Sequence, residues 1–151
     1  MAETLPAFVV GVGQAGIAAM NAIQDLVEEN DDEDAFGFLA LDTDGAMLSQ
    51  VPPGTTSKEL RISDKFTTED QGKYPYLLPE MEIKGKGALR QRPVGRYKID
   101  SRGIEDFSAI FQDIYRAVRE HARDVDYSFD RRADSYNIIL IHSLGGGTGA
   151  G

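Results

Sequence analysis

Cysteine is absent from this chain, which excludes disulfides and thiolate metal centres. The two histidines, His121 and His142, are too few for an imidazole cage. A functional site here must work with oxygens, backbone amides and hard cations held by oxygen. Long apolar runs are also missing. The longest, Phe8 to Val12 and Ile138 to Ile141, are strand-sized and far short of the roughly 20 residues of a membrane span. The start, Met1-Ala-Glu-Thr, has neither the basic segment nor the apolar core of a secretory leader, so a cytoplasmic protein is expected. Basic charge is scarce: 16 Lys and Arg face 25 Asp and Glu, a net charge of −9, which argues against binding nucleic acid through its phosphate backbone. The local cluster Arg90, Arg92 and Arg96 is the exception. No G-x-x-x-x-G-K-[ST] segment occurs, which disfavours a P-loop GTPase.

With 151 residues, 41% of them hydrophobic, the chain can build one core of its own. Phe8-Val-Val-Gly is a short apolar run that fits a buried parallel strand. After it, Ile17, Met20, Ile23 and Val27 recur at helical spacing. The run 28–35 gathers like charges and is expected to be an acidic surface loop. Phe36-Gly-Phe-Leu-Ala-Leu predicts a second buried strand. Residues 51–97, rich in proline and scattered charge, predict long loops with short elements. Ile104, Phe107, Ile110, Phe111, Ile114 and Val118 predict an amphipathic helix from about Ile104 to Arg123. Tyr136 to His142 predicts a third buried strand. Strands alternating with helices give an α/β fold, a Rossmann-like parallel sheet flanked by helices.

Glycine is what the chain has in the right places. Gly11-Val-Gly13-Gln-Ala-Gly16 follows a strand and opens a helix, where backbone amides and the positive end of the helix dipole attract an anion. Taken alone, the motif also fits a plain tight turn. Gly145-Gly-Gly-Thr-Gly-Ala-Gly151 follows the third strand. Five glycines in seven residues are entropically costly to order, which points to a nest of amides around phosphate oxygens with the Thr148 hydroxyl as an added donor. Ligands of open parallel sheets bind beyond the carboxyl ends of the strands, where both loops are expected. Asp42-Thr43-Asp44 belongs to the same rim. It either faces a hydrated Mg2+ and a phosphate or caps the next helix.

These residues resemble the tubulin/FtsZ family. The closing GGGTGAG matches that family's signature, Gly13 to Gly16 followed by Asn21 resembles the first nucleotide loop of tubulin, and Ala40 to Leu48 resembles the second loop of FtsZ. Three loops agree in order and spacing. The resemblance implies GTP or GDP as ligand, with Gly11, Gly13, Gln14, Ala15 and Gly16 at the α- and β-phosphates. It implies Thr43 and Asp44 by the γ-phosphate and Mg2+, with Asp44 as metal ligand, Asn21 near the nucleoside, and Gly145, Gly146, Gly147, Thr148 and Gly149 around the phosphates from the other side. The third loop departs: Gly85 to Arg96, which includes Gly87 and Arg92, lacks the FtsZ pattern and is similar to the Arg-Pro-x-Gly-Arg segment of the less-studied prokaryotic tubulin-like proteins. Arg92 or Arg96 could there supply bidentate contacts to a γ-phosphate, or serve as surface arginines answering the acidic loop.

The resemblance further implies self-association into filaments or oligomers with GTP at the subunit interface. It places the base-gripping helix and the hydrolytic acid in later segments, so residues 1–151 are expected to be the N-terminal portion of one nucleotide-binding domain, unable to hydrolyse GTP alone. Two other readings remain. One is a structural tubulin-fold protein without GTPase activity. The other is an NAD-type dinucleotide-binding module with Asp42 on the ribose, although Asp42 lies beyond the usual interval of ~20 residues and that fold does not need the second glycine loop.

Overall fold

The computed structural model describes residues 7–31, 35–60, 68–78, 87–88, 90–100, 108–109, 112–117, 119–120 and 137–149. Four parallel strands form one sheet: β1 (Ala7–Val12), β2 (Phe36–Asp42), β3 (Thr56–Glu59) and β4 (Asn137–His142), in the order β3-β2-β1-β4. The helices are α1 (Gly13–Glu29), α2 (Gly45–Leu48), α3 (Thr68–Lys73) and α4 (Arg92–Asp100), with further helical residues at 112–117. This is the expected α/β, Rossmann-like arrangement.

β1 is central, and its alternation feeds two cores. Phe8 and Val10 point to one face and pack with Leu39, Leu41 and Leu60, covered by Ile114 and Ala117 of the later helical residues. Val9 points to the other face and packs with Ile17, Met20 and Val27 of α1, Phe38 and Ala40 of β2, and Leu48 of α2. A period of two on the strand thus meets a period near 3.6 on the helix. Each fully buried side chain of this size contributes about 1.5–3 kcal/mol.

Two glycines let α1 lie close to the sheet. A Cβ on Gly16 would run into the Ile141 carbonyl oxygen of β4, and a Cβ on Gly11 would stand 2.9 Å from the Gly16 carbonyl oxygen. At the far end, Asn30 closes α1: its amide bonds Val27 O at 3.2 Å and its side chain Leu26 O at 2.6 Å. The helix therefore runs into the acidic stretch as far as Glu29, and residues 32–34 of that stretch lie outside the described residues.

The strand ending at His142 forms as expected, but it is not buried. β4 is the edge of the sheet among the described strands, and Ile138, Ile139 and Leu140 are 63%, 42% and 61% exposed. β1 pairs with it on one side, and its outward apolar side chains find no full cover on either face. The region 51–97, read as long loops with short elements, holds three elements among its described residues. It contributes the edge strand β3, the helix α3 and the start of α4, in which Pro93 occupies the first turn, where proline is tolerated. α4 packs through Tyr97 against Leu77, Tyr74 and Tyr76. Of the helix expected from about Ile104 to Arg123, residues 108–109, 112–117 and 119–120 are helical, and its remaining positions, including Ile104, Phe107, Ile110, Phe111 and Val118, lie outside the described residues.

Candidate functional site, a glycine-walled cleft

The carboxyl ends of β1, β2 and β4 deliver three segments to one rim of the sheet, and Gly87, Ala88 and Arg90 close it from a fourth side. Between them lies a cleft of about 580 Å3. Its walls are Gly13, Gln14 and Ala15 at the start of α1, Asp42 and Asp44 after β2, Gly87, Ala88 and Arg90, and the loop from Ser143 to Gly149 after β4.

The start of α1 is open. Gly13 adopts φ +71, which carries the chain sharply from strand into helix. No side chain caps the helix, and its first turn holds no acidic residue, so the first-turn amides and the dipole point outward unanswered. The contrast with α2 is direct. There Asp44 is the N-cap, its Oδ1 accepting the Ala46 amide at 3.0 Å. Of the two roles open to Asp44, the capping role is thus realised, while the residue still lines the cleft.

The loop 143–149 is held by packing at one end and left free in its middle. Its end is tied by His142 Nδ1 against Gly149 O at 2.8 Å, and by the Gly146 amide donating to Ser143 Oγ at 3.1 Å. A Cβ on Gly149 would meet Val12 O at 2.9 Å, and one on Gly147 would meet the Ala88 carbonyl oxygen at 2.9 Å. A Cβ added at Gly145 would meet nothing within 4 Å beyond its chain neighbours. Part of the glycine content therefore serves close packing against Val12, Ala88 and Gly95, and Gly145 is the position in this loop with no packing reason to be glycine.

Thr148, expected as a donor to phosphate, makes its hydrogen bonds within the protein. It is buried, and its Oγ1 donates to Asp42 Oδ1 at 3.1 Å and lies 2.7 Å from Thr43 Oγ1. Asp42 Oδ1 also accepts the amides of Thr43 at 2.6 Å and Asp44 at 3.2 Å. These three side chains latch the glycine loop to the end of β2, and both threonine hydroxyls are turned into the latch.

The arginines separate. Arg90 lines the cleft with a left-handed backbone, φ +58. Arg92 opens α4 with its side chain exposed and does not line the cleft. Arg96 pairs with Asp100 at 3.3 Å and stacks on Tyr76 at 4.5 Å. Beneath the cleft, Lys98 of α4 is buried and donates from Nζ to Gly87 O. Burial pushes its pKa down, while Asp44, Asp42 and Glu59 pull it back up. Gly87 is also tied to β2, its amide donating to Thr43 O at 3.2 Å.

Of the sequence-derived candidates, the structure brings together Gly13, Gln14, Ala15, Asp44, Gly87, Gly145, Gly146, Gly147, Thr148 and Gly149. Gly11 and Gly16 serve the helix–sheet contact just behind the cleft. Thr43 lies in the latch. Asn21 sits further along α1, half-buried, with its Oδ1 buried and lacking a hydrogen-bond partner. Sequence reasoning missed Met47 and Ala88 as lining residues and Lys98 beside them; for Arg90 it had the cluster and not the member. Among the described residues, no group of three or more His, Asp or Glu converges as a metal cage, and no helix is long and apolar enough to cross a membrane. No protein-family model and no curated protein matches the chain.

Proposed function

We propose that this cleft binds the phosphates of a guanine nucleotide, GTP or GDP, as the resemblance to the tubulin/FtsZ family implies. One observation carries the reading: the uncapped start of α1 and the open backbone at Gly145 line the same cleft at the carboxyl ends of parallel strands. The amides of Gly13 to Ala15 would hold phosphate oxygens from one wall and those of Gly145 and Gly146 from another, with Arg90 adding a charged fork. Gly11 and Gly16 act by letting α1 sit close enough to present those amides. The unpartnered Asn21 Oδ1 offers an acceptor for a donor of the nucleoside.

A Mg2+ ion in this reading arrives with the nucleotide, neutralises phosphate charge, and meets the protein through Asp44. One carboxylate suits a hydrated, phosphate-borne ion of this kind, which needs no protein-built cage. On the partner side, we propose self-association into oligomers or filaments with the nucleotide at the subunit face. Leu144, 75% exposed beside the glycine loop, and the exposed side of β4 supply apolar surface for such a contact.

Calorimetric titration of the chain with GTP, GDP and NAD separately tests the reading. Binding of the guanine nucleotides with no heat from NAD is expected. Tight NAD binding with none for GTP would overturn it in favour of a dinucleotide module, a reading that the commitment of Asp42 to its latch already weakens. The reading without turnover gains from one observation: the hydroxyls of Thr43 and Thr148 are occupied with each other.

A further inference from the structure

We infer that Lys98 is a positioning residue for this cleft: by holding the Gly87 carbonyl it sets how the lining segment presents Arg90, and so governs ligand affinity without touching the ligand. The inference rests on the nucleotide reading above and concerns how one wall of that site is kept in place.

Gly87, Ala88 and Arg90 form the wall of the cleft that no strand end delivers. Its backbone is left-handed at both ends, with Gly87 at φ +74 and Arg90 at φ +58. Glycine adopts that conformation freely, but a residue with a side chain does so at a cost, so the turn at Arg90 does not hold itself. Hydrogen bonds hold it. The Gly87 amide donates to Thr43 O at 3.2 Å, which ties the segment to the end of β2, and the Gln91 amide donates to Ala88 O at 2.8 Å across the turn. Lys98 Nζ, 11 residues on and in the last turn of α4, donates to Gly87 O. Gly87 is thus gripped at its amide by β2 and at its carbonyl by α4.

Lys98 is 2% exposed and does not line the cleft, so its ammonium meets the Gly87 carbonyl rather than ligand. Burying an ammonium costs free energy unless it is hydrogen-bonded, which keeps this contact made in the folded chain. The helix that carries it is itself firmly seated. Gly95 lies against the Gly147 carbonyl with no room for a Cβ, and Tyr97 packs edge-on to Tyr74 at 4.9 Å. Lys98 therefore reaches from a fixed helix to a wall whose own backbone is unfavourable. Without it, Gly87 keeps its tie to Thr43 but loses the one to α4, and Arg90, three residues on, is presented less often in one place.

The test is a double-mutant cycle read by calorimetric titration with a non-hydrolysable GTP analogue in magnesium. Lys98→Met is expected to weaken binding about fivefold to tenfold, and Arg90→Ala about tenfold. In the Arg90→Ala background, Lys98→Met should cost less than about twofold, because the group it positions is gone. A general loss of structure would lower affinity by the same factor in both backgrounds. If Lys98→Met does not fold, Lys98→Gln, uncharged and one atom shorter, enters the same cycle with the same expectation. A Lys98 variant that binds within about twofold of wild type, or whose loss is undiminished in the Arg90→Ala background, overturns the inference and leaves the nucleotide reading standing. A wild-type chain that does not bind the analogue overturns both.

Discussion

Thr148 Oγ1 donates a hydrogen bond to Asp42 Oδ1 at 3.1 Å, joining residues 106 positions apart and closing the glycine loop onto the end of β2. Both residues are buried, so the bond is shielded from water. Thr148→Val keeps the shape and removes the hydroxyl, leaving a buried carboxylate with one donor fewer. A loss of about 1–3 kcal/mol in urea denaturation is expected. Unchanged stability would mean that the latch does not hold the loop.

Gly16 and Gly145 lie in the two glycine loops and should behave oppositely. A Cβ at Gly16 collides with the rigid backbone of β4, whereas one at Gly145 meets nothing within 4 Å. Gly16→Ala should cost roughly 1–3 kcal/mol through overpacking. Gly145→Ala should change stability by less than about 0.5 kcal/mol. Its effect should appear instead as weakened nucleotide binding, because the new methyl stands where the ligand approaches the backbone. Thermal denaturation and calorimetric titration of both variants separate the two roles.

Arg90 couples an unfavourable backbone to a lining side chain. Left-handed φ costs a non-glycine residue about 1–2 kcal/mol, so Arg90→Gly should hold stability or raise it by up to about 1 kcal/mol. The same change removes the cationic fork and should lower nucleotide affinity about tenfold. Arg92→Ala, outside the cleft, should leave affinity within about twofold of wild type. A reversed order of the two affinities would return the ligand contact to Arg92.

Tyr76 gives the fold a pH signature at the alkaline end. Burial, and then the 2.5 Å hydrogen bond it donates to Asp100, push its pKa well above the ordinary 10.0. Because the folded form holds this proton more tightly than the unfolded chain, the stability it adds is complete below pH 10 and is lost as pH rises toward the folded pKa. Ultraviolet titration should find a late-ionising tyrosine component, and Tyr76→Phe should diminish it. A wild-type curve with all tyrosines titrating together would contradict the geometry.

Much of the fold was legible because periodicity reports burial. Val9 and Ile17 mark the strand and helix that meet in one core, and the glycines after them mark the turn. What escaped were features set by tertiary position. The apolar run Ile138 to Leu140 reads as buried, but its place at the sheet edge exposes it, and order across a sheet is not written in a local pattern. α4 was hidden by Pro93 and Gly95, two helix-averse residues. Pro93 is tolerated in the first turn, and Gly95 packs against the Gly147 carbonyl, where a Cβ has no room. Within the site, residue types pointed to phosphate chemistry, but only geometry separated Arg90 from Arg92 or showed the Thr148 hydroxyl bonded to Asp42.

The pairing of β1 with β4 has a kinetic corollary. The strands that carry the two glycine loops meet only after nearly the whole chain has been threaded between them. Such distant pairing is slow, because loop closure must be met before any contact rewards it. β1, α1 and β2 are contiguous and can associate early, leaving the cleft to appear with the docking of β4. Ligand capture during refolding would therefore report the final step of assembly, trailing the rise of helical signal.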